Sequence, residues 1–151
     1  SMLFAEMACY EHSVGSSVYD RLKKIYEKHG FYLEKSFSFA FSGIDAMDRM
    51  AAVMDDIRKN PPEEVAGRKV LSVSDYLSGV TVFADKSTAP VTLPKSNVLY
   101  FALDNDAWIC VRPSGTEPKL KIYVATKEKS KDSAERDVSD MKNCIVKRFG
   151  L

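Results

Sequence analysis

The sequence predicts an α+β fold: an antiparallel β-sheet of about four to five strands with helices packed on one face. Two observations carry this expectation. Apolar residues change period along the chain, from helical spacing before residue 30 to strict alternation in the stretch that begins at Phe31. From there the elements read β-α-β-β-β-β-α, which groups the strands together, and that order is characteristic of a sheet with helices segregated to one side.

The elements follow in order. Residues 1–30 read as two helices. The first, "LFAEMACYEHS", is short and apolar, and its Leu3, Phe4, Met7 and Ala8 seek a partner surface. After "SVGSS", whose serines read as a helix-capping turn, a second helix carries Val18, Leu22, Ile25 and Tyr26 on one stripe and stops at Gly30. "FYLEKSFSFAFSG" then alternates, with Phe37, Phe39 and Phe41 on one face and Ser36, Ser38 and Ala40 on the other, as a half-buried strand does. A third helix from about Ile44 to Lys59 presents Met47, Met50, Ala51, Met54 and Ile57 at helical spacing, and Pro61-Pro62 ends it. "GRKVLSVSDYL" reads as one strand, followed by a loop containing Pro90 and Pro94. "NVLYFALDNDAWICVR" reads as a hairpin turning at Asp104-Asn105-Asp106, and "KLKIYVAT" as a further strand. A last helix, about Lys131 to Phe149, lines up Ala134, Val138, Met141, Ile145 and Phe149.

Composition narrows the function classes. Lys and Arg number 22 against 21 Asp and Glu, a net charge of +1. That balance argues against a general nucleic-acid or membrane surface, which calls for a basic excess, so any anion binding has to be local. The three cysteines, Cys9, Cys110 and Cys144, are far apart, and His12 and His29 have no partners at metal-site spacing. No metal site is expected, and a reducing, cytoplasmic setting fits the cysteine usage. No apolar run approaches the roughly 20 residues needed to cross a bilayer. Ser1-Met2 reads as a residual tag serine and an added methionine, not as a signal peptide.

One stretch stands out as chemistry, "VRPSGTEPKLKI" at 111–122. Prolines hold the residues before them, Arg112 and Glu117, out of the helical region, so the turn between two strands is short and stiff. Gly115 permits a backbone bend closed to other residues, which can aim successive N–H groups at one point. Ser114 and Thr116 add hydroxyl donors, and Arg112 offers a planar fork matched to two phosphate oxygens. Lys119 and Lys121 share a face of the following strand because side chains alternate there. Convergent donors on a rigid turn make a phosphate cradle; the competing reading is a tight exposed hairpin with incidental charges.

"RPSGTEPKLKIYV" closely resembles the signature of the C-terminal domain of the α-D-phosphohexomutase family, the phosphoglucomutases and phosphomannomutases. Weaker resemblance covers the whole chain: "YEKHGFYLEKSFSFAFSG" is similar to the family's link from the third domain into the fourth, and "LPKSNVLYFALDNDAWICVRPSGTEPK" looks most like the bacterial phosphoglucomutase branch. The resemblance implies that residues 1–30 are the last helices of a third domain and 31–151 the fourth, phosphate-binding domain. It implies substrate-phosphate contacts at Arg112, Ser114, Gly115, Thr116 and Lys121, with Glu117 and Lys119 as further members of the motif. It also implies a parent isomerase that interconverts glucose 1-phosphate and glucose 6-phosphate through a phosphoserine and Mg²⁺, with the missing N-terminal domains as partners.

The family's Ser-His-Asn-Pro nucleophile segment, its Asp-x-Asp-x-Asp metal loop and its Gly-Glu-x-Ser-Gly sugar loop do not occur here. No catalytic residue is therefore expected in this chain, and by itself it should interconvert no hexose phosphate. Phosphomannomutase and phosphoglucosamine mutase are the alternatives within the family. A free-standing module for phosphate esters is the alternative outside it, disfavoured by the apolar helix beginning at Leu3. Blander readings suit the remaining candidates: a solvated helix face for Asp55 and Asp56, a core or interface thiol for Cys110, and sheet packing for Trp108.

Overall fold

The structure, a computed structural model, describes residues 1–151. It opens with a helical hairpin. Helix α1 (Met2–Ser13) leaves Leu3 and Phe4 in solvent and buries only Glu11, whose carboxylate accepts from Arg21 Nη1 at 2.7 Å. Helix α2 (Val18–His29) starts at Ser17, whose Oγ accepts from the Asp20 N–H at 3.1 Å, so "SVGSS" is a capping turn as its serines suggest. Gly30 ends α2 at φ 98°, a conformation side-chain-bearing residues rarely adopt. The stripe read on α2 is mostly unburied: Tyr26 stacks on Phe31 with ring centroids 4.9 Å apart, but Leu22 and Ile25 stay exposed.

The body that follows is β1 (Phe31–Ala40), α3 (Ala46–Lys59), β2 (Glu64–Val65), β3 (Arg68–Asp75), β4 (Val80–Phe83), β5 (Thr88–Pro90), β6 (Leu99–Leu103), β7 (Trp108–Pro113), β8 (Lys119–Glu128) and α4 (Lys131–Phe149). Seven strands form one antiparallel path, β1-β8-β7-β6-β3-β4-β5, with β2 paired to β3 beside it. The class is the expected α+β, but the strands number eight, not four to five. The extra ones are short. β4 and β5 lie in the segment read as a proline-containing loop, where the alternating stretch is four residues long and Pro90 restricts its strand to the sheet edge. The turn at 104–106 is as read: Asn105 and Asp106 sit at φ 55° and 58°, the paired left-handed geometry that matches strand twist in a tight hairpin.

Register divides the sheet into two faces. Leu99, Val111, Ile122 and Phe37 lie opposite one another across four strands, and Phe101, Ile109 and Val124 form the next such row. Against these rows pack Met54 and Ile57 of α3 and Val138, Met141 and Ile145 of α4, all buried; Met50 and Ala134 are buried on the same two helices. Met47 and Ala51 of the expected α3 stripe face solvent, since the helix is tangent to the sheet along a narrower line. Both helices lie on this one face, so the opposite face of β1, β8, β7 and β6 is open. No helix is long and apolar enough to cross a membrane.

Candidate anion-binding site

Strand β7 delivers Arg112 and strand β8 delivers Lys121, and the two are direct cross-strand partners; Ser38 of β1 is Lys121's partner on the other side. Directly opposed residues of antiparallel strands share a face, so Arg112, Lys121 and Ser38 form one row on the open face. Arg112 and Lys121 are exposed, and neither joins any of the protein's ion pairs. Lys119 also lies on this face, opposite Ala40, but its ammonium is held by Glu117 at 3.1 Å.

The loop joining the two strands is pinned at its base. The Ser114 N–H donates to the Lys119 carbonyl at 2.8 Å, the Lys119 N–H to the Glu117 carbonyl at 2.7 Å, and the Phe41 N–H to the Pro118 carbonyl at 2.8 Å. Above that base the N–H groups of Gly115, Thr116 and Glu117 donate to nothing in the protein, and the Ser114 and Thr116 hydroxyls make no side-chain hydrogen bond. Three successive free amides and two free hydroxyls thus lie on the loop, and two unpaired cations lie on the strands that it joins. Fields of this kind suit an anion.

Gly115 corrects one expectation. Six of the seven glycines have positive φ; Gly115 is the exception, so the bend does not require a residue without a side chain. A Cβ built there would meet no atom within 4 Å. Neither backbone strain nor protein packing accounts for glycine at 115, whereas close approach of an external group to the loop would.

One row further along the open face stand Cys110, Tyr123 and Ser36, again directly opposed, with Tyr100 beyond Cys110. Burial pushes the Cys110 thiol above its ordinary range, with nearby Arg112 pulling weakly the other way, which keeps it protonated and unfit as a nucleophile. Burial likewise raises the Tyr100 phenol. Trp108 stacks on Tyr100 with centroids 5.6 Å apart, the packing role read for it. Asp55 pairs with Arg58 at 3.0 Å, and Asp56 accepts from Asn60 at 2.7 Å, so both act within their own helix surface. Sequence reasoning gave Ser36 and Ser38 to a polar face but missed their place beside Lys121 and Tyr123, because alternation fixes a face and does not say which strand is the neighbour.

A groove of about 990 Å³ lies away from the loop, between the end of α3 and β3–β4. Its Arg58 is already bonded to Asp75 at 3.2 Å and to Asn97 at 2.8 Å. No three His, Cys, Asp or Glu side chains stand together as metal ligands.

A family model described as "Phosphoglucomutase/phosphomannomutase, C-terminal domain" matches residues 50–140. A phosphoglucomutase of Staphylococcus aureus strain MSSA476 is 35% identical over 128 residues, 84% of this chain and 23% of that protein. The phosphoglucomutase of strain USA300 is 36% identical over the same span. The chain thus spans about a quarter of the curated relatives it matches. A solution structure from Cytophaga hutchinsonii covers 80% of this chain and 89% of that one with a TM-score of 0.29 at 10% identity, too loose a likeness to carry weight.

Proposed function

Because this chain belongs to the phosphoglucomutase/phosphomannomutase family through its C-terminal domain, we propose that it is the phosphate-gripping part of a phosphohexose mutase, with glucose 1-phosphate and glucose 6-phosphate as the favoured pair. The observation that carries the proposal is the set of unpartnered donors around residues 112–121: the Arg112 fork, the Lys121 ammonium, the Ser114 and Thr116 hydroxyls, and the free amides of Gly115, Thr116 and Glu117. Glu117 and Lys119, paired with each other, shape the loop and contribute less to the anion. Identity to the staphylococcal phosphoglucomutases favours glucose phosphates over the mannose and glucosamine alternatives.

The role is positioning. A mutase must hold the phosphate that is not being transferred, whichever sugar carbon bears it. Amides, hydroxyls and permanent charges recognise a phosphate from outside and do not register the carbon behind it. Lys121 supplies charge without the bidentate geometry of an arginine, so its share of the grip is less directional. The side chains here do not fit Mg²⁺, since no ligand cluster exists, and no step of this reading runs through a metal. Metal, phosphoserine and turnover belong to the N-terminal domains of the parent enzyme.

Titration of this chain with inorganic phosphate, followed by amide NMR, tests the reading. Binding should be weak, about millimolar, and centred on residues 114–117. Arg112→Ala should weaken it about tenfold or more, as loss of a charge-assisted bond does. In the same samples a coupled assay should detect no glucose 6-phosphate formed from glucose 1-phosphate. Equal phosphate affinity in Arg112→Ala, or turnover by the chain alone, would overturn the assignment.

A further inference from the structure

The two buried rows of the sheet run on past the end of α3. The row of Leu99 continues to Asp75 of β3 and Val80 of β4, and the row of Phe101 to Val73 and Val82. Helix α3 reaches β3, where Arg58 Nε donates to Asp75 at 3.2 Å, and it ends at Lys59. On β4 the rows therefore come out into solvent: Val80 is 37% and Val82 41% exposed, against 1% for Leu99 and 2% for Phe101 in the same rows. Val73, Val80 and Val82 line the groove between the end of α3 and β3–β4. Single exposed apolar side chains are ordinary, but a core face that extends uncovered into a groove marks a place of association.

Charge indicates what associates there. Lys59, Lys69, Lys86, Glu63 and Glu64 also line the groove, all exposed, and none of them joins an ion pair. A partner of one sign would meet like charges on such a rim. A second copy turned about a two-fold axis instead offers a glutamate to each lysine region and a lysine to each glutamate region. Strand addition at this end is blocked, since the edge strand β5 has three residues and one is Pro90. The helical hairpin adjoins β1, at the opposite edge of the sheet, so α1 and α2 leave the groove clear.

We propose that the groove face of β3 and β4 is a self-association surface through which two copies of this chain form an isologous dimer. Because the face is concave, one wall of each groove enters the other. The β4–β5 turn at 83–87, led by the exposed Phe83, supplies that wall. The glutamates of each rim then lie near the lysines of the other copy. This dimer is independent of the phosphate reading above.

Sedimentation equilibrium and amide NMR on this chain, from about 10 µM to about 1 mM, test the proposal for the native sequence, Val82→Lys, Lys86→Glu and Phe4→Ser. All three positions are exposed, and the spread of the amide spectrum checks that each variant is folded. The native mass should rise with concentration from 16.9 kDa toward twice that value, with concentration-dependent shifts at 69–73 and 80–86. Val82→Lys should weaken association about tenfold or more by carrying an unpaired charge into the apolar floor. Lys86→Glu, on an exposed turn, should weaken it about threefold, and raising salt from about 0.05 M to about 0.5 M should act in the same direction. Phe4→Ser should change nothing. A constant mass of 16.9 kDa over the whole range overturns the proposal. So does association that shifts residues 2–28 and is lost in Phe4→Ser but kept in Val82→Lys and Lys86→Glu, because the helical hairpin is then the contact.

Discussion

Two arginines lie beside opposite ends of β8 in opposite circumstances. Arg68, at the end marked by Thr126 and Glu128, has an 11% exposed side chain and is surrounded by acceptors: Asp137 at 2.8 Å, Glu128 at 2.5 Å, Thr126 at 3.2 Å and the Asp104 carbonyl at 3.5 Å. The Thr126 hydroxyl, itself buried, donates back to Asp137. Burial opposes the Arg68 charge, but the bonds to Asp137 and Glu128 outweigh it and raise its pKa above the usual guanidinium range. Arg112, at the end marked by Lys121, is exposed and touches no carboxylate. The fold consumes one arginine to staple β3, β8 and α4 together, and makes no use of the other. A cation held in place on a sheet yet left without a partner is available to something outside the protein.

The largest expected effect separates these two roles. Arg68→Ala leaves Asp137 with the Thr126 hydroxyl as its one remaining partner. It should destabilise the domain by roughly 2–4 kcal/mol, below the cost of breaking a fully buried pair because Glu128 and Asp104 reach water. Arg112→Ala should change stability by no more than about 0.5 kcal/mol, as surface changes usually do. Urea unfolding midpoints measure both. Equal destabilisation by the two substitutions would erase the distinction and return Arg112 to a structural role.

How far the sequence showed this can be traced to particular residues. Helix α4 was readable because its apolar residues recur at helical spacing up to Phe149; the reciprocal Ser130–Ser133 box that caps its start was not read. The hairpin turn was readable because Asn and Asp tolerate left-handed backbone. The loop's donors were readable because a strand before it and a strand after it set which way Arg112 and Lys121 point. What could not be read was long-range. Arg68 meets Glu128 and Asp137 from 60 and 69 residues away, and no local pattern announces such a partnership. Strands as short as β2 and β5 carry too few residues for alternation to register.

Gly115 gives the second prediction, and it sharpens the comparison on the unpaired side. The sequence suggested that glycine is needed for the bend; the backbone at 115 lies outside the left-handed region and a Cβ has open space. Gly115→Ala should therefore leave stability within about 0.5 kcal/mol of the original, with any small gain coming from a less flexible unfolded chain. It should still weaken phosphate binding severalfold by filling the space an anion would enter. Thermal unfolding and a phosphate titration on the same variant check the two halves. A strongly destabilised variant would mean that the loop needs its glycine for folding, and the main support for ligand approach at that residue would go.

The smallest effect concerns the α1–α2 hairpin, whose only buried residue in α1 is Glu11. Its hydrogen bond to Arg21 holds the carboxyl below the usual range against the opposing pull of burial. A carboxyl whose pKa is lowered on folding adds stability above its ordinary value, near 4.3, and that contribution is lost as the pH falls through the lowered folded value. The buried rows of β6, β7 and β8 carry no titrating group, and the carboxylates that touch β8, Glu128 and Asp137, act at one end of that strand alone. Acidification from about pH 7 to about pH 3 should thus reduce amide protection in residues 2–13 before it reduces protection in β8. Glu11→Gln should blunt the pH dependence in α1 and leave that of β8 as it was. Early, separate opening of α1 would support the boundary near residue 30 as the edge of an independently stable unit. Simultaneous loss of protection in α1 and β8, at every pH and in both proteins, would mean that residues 1–30 and 31–151 unfold as one and that the boundary is misplaced.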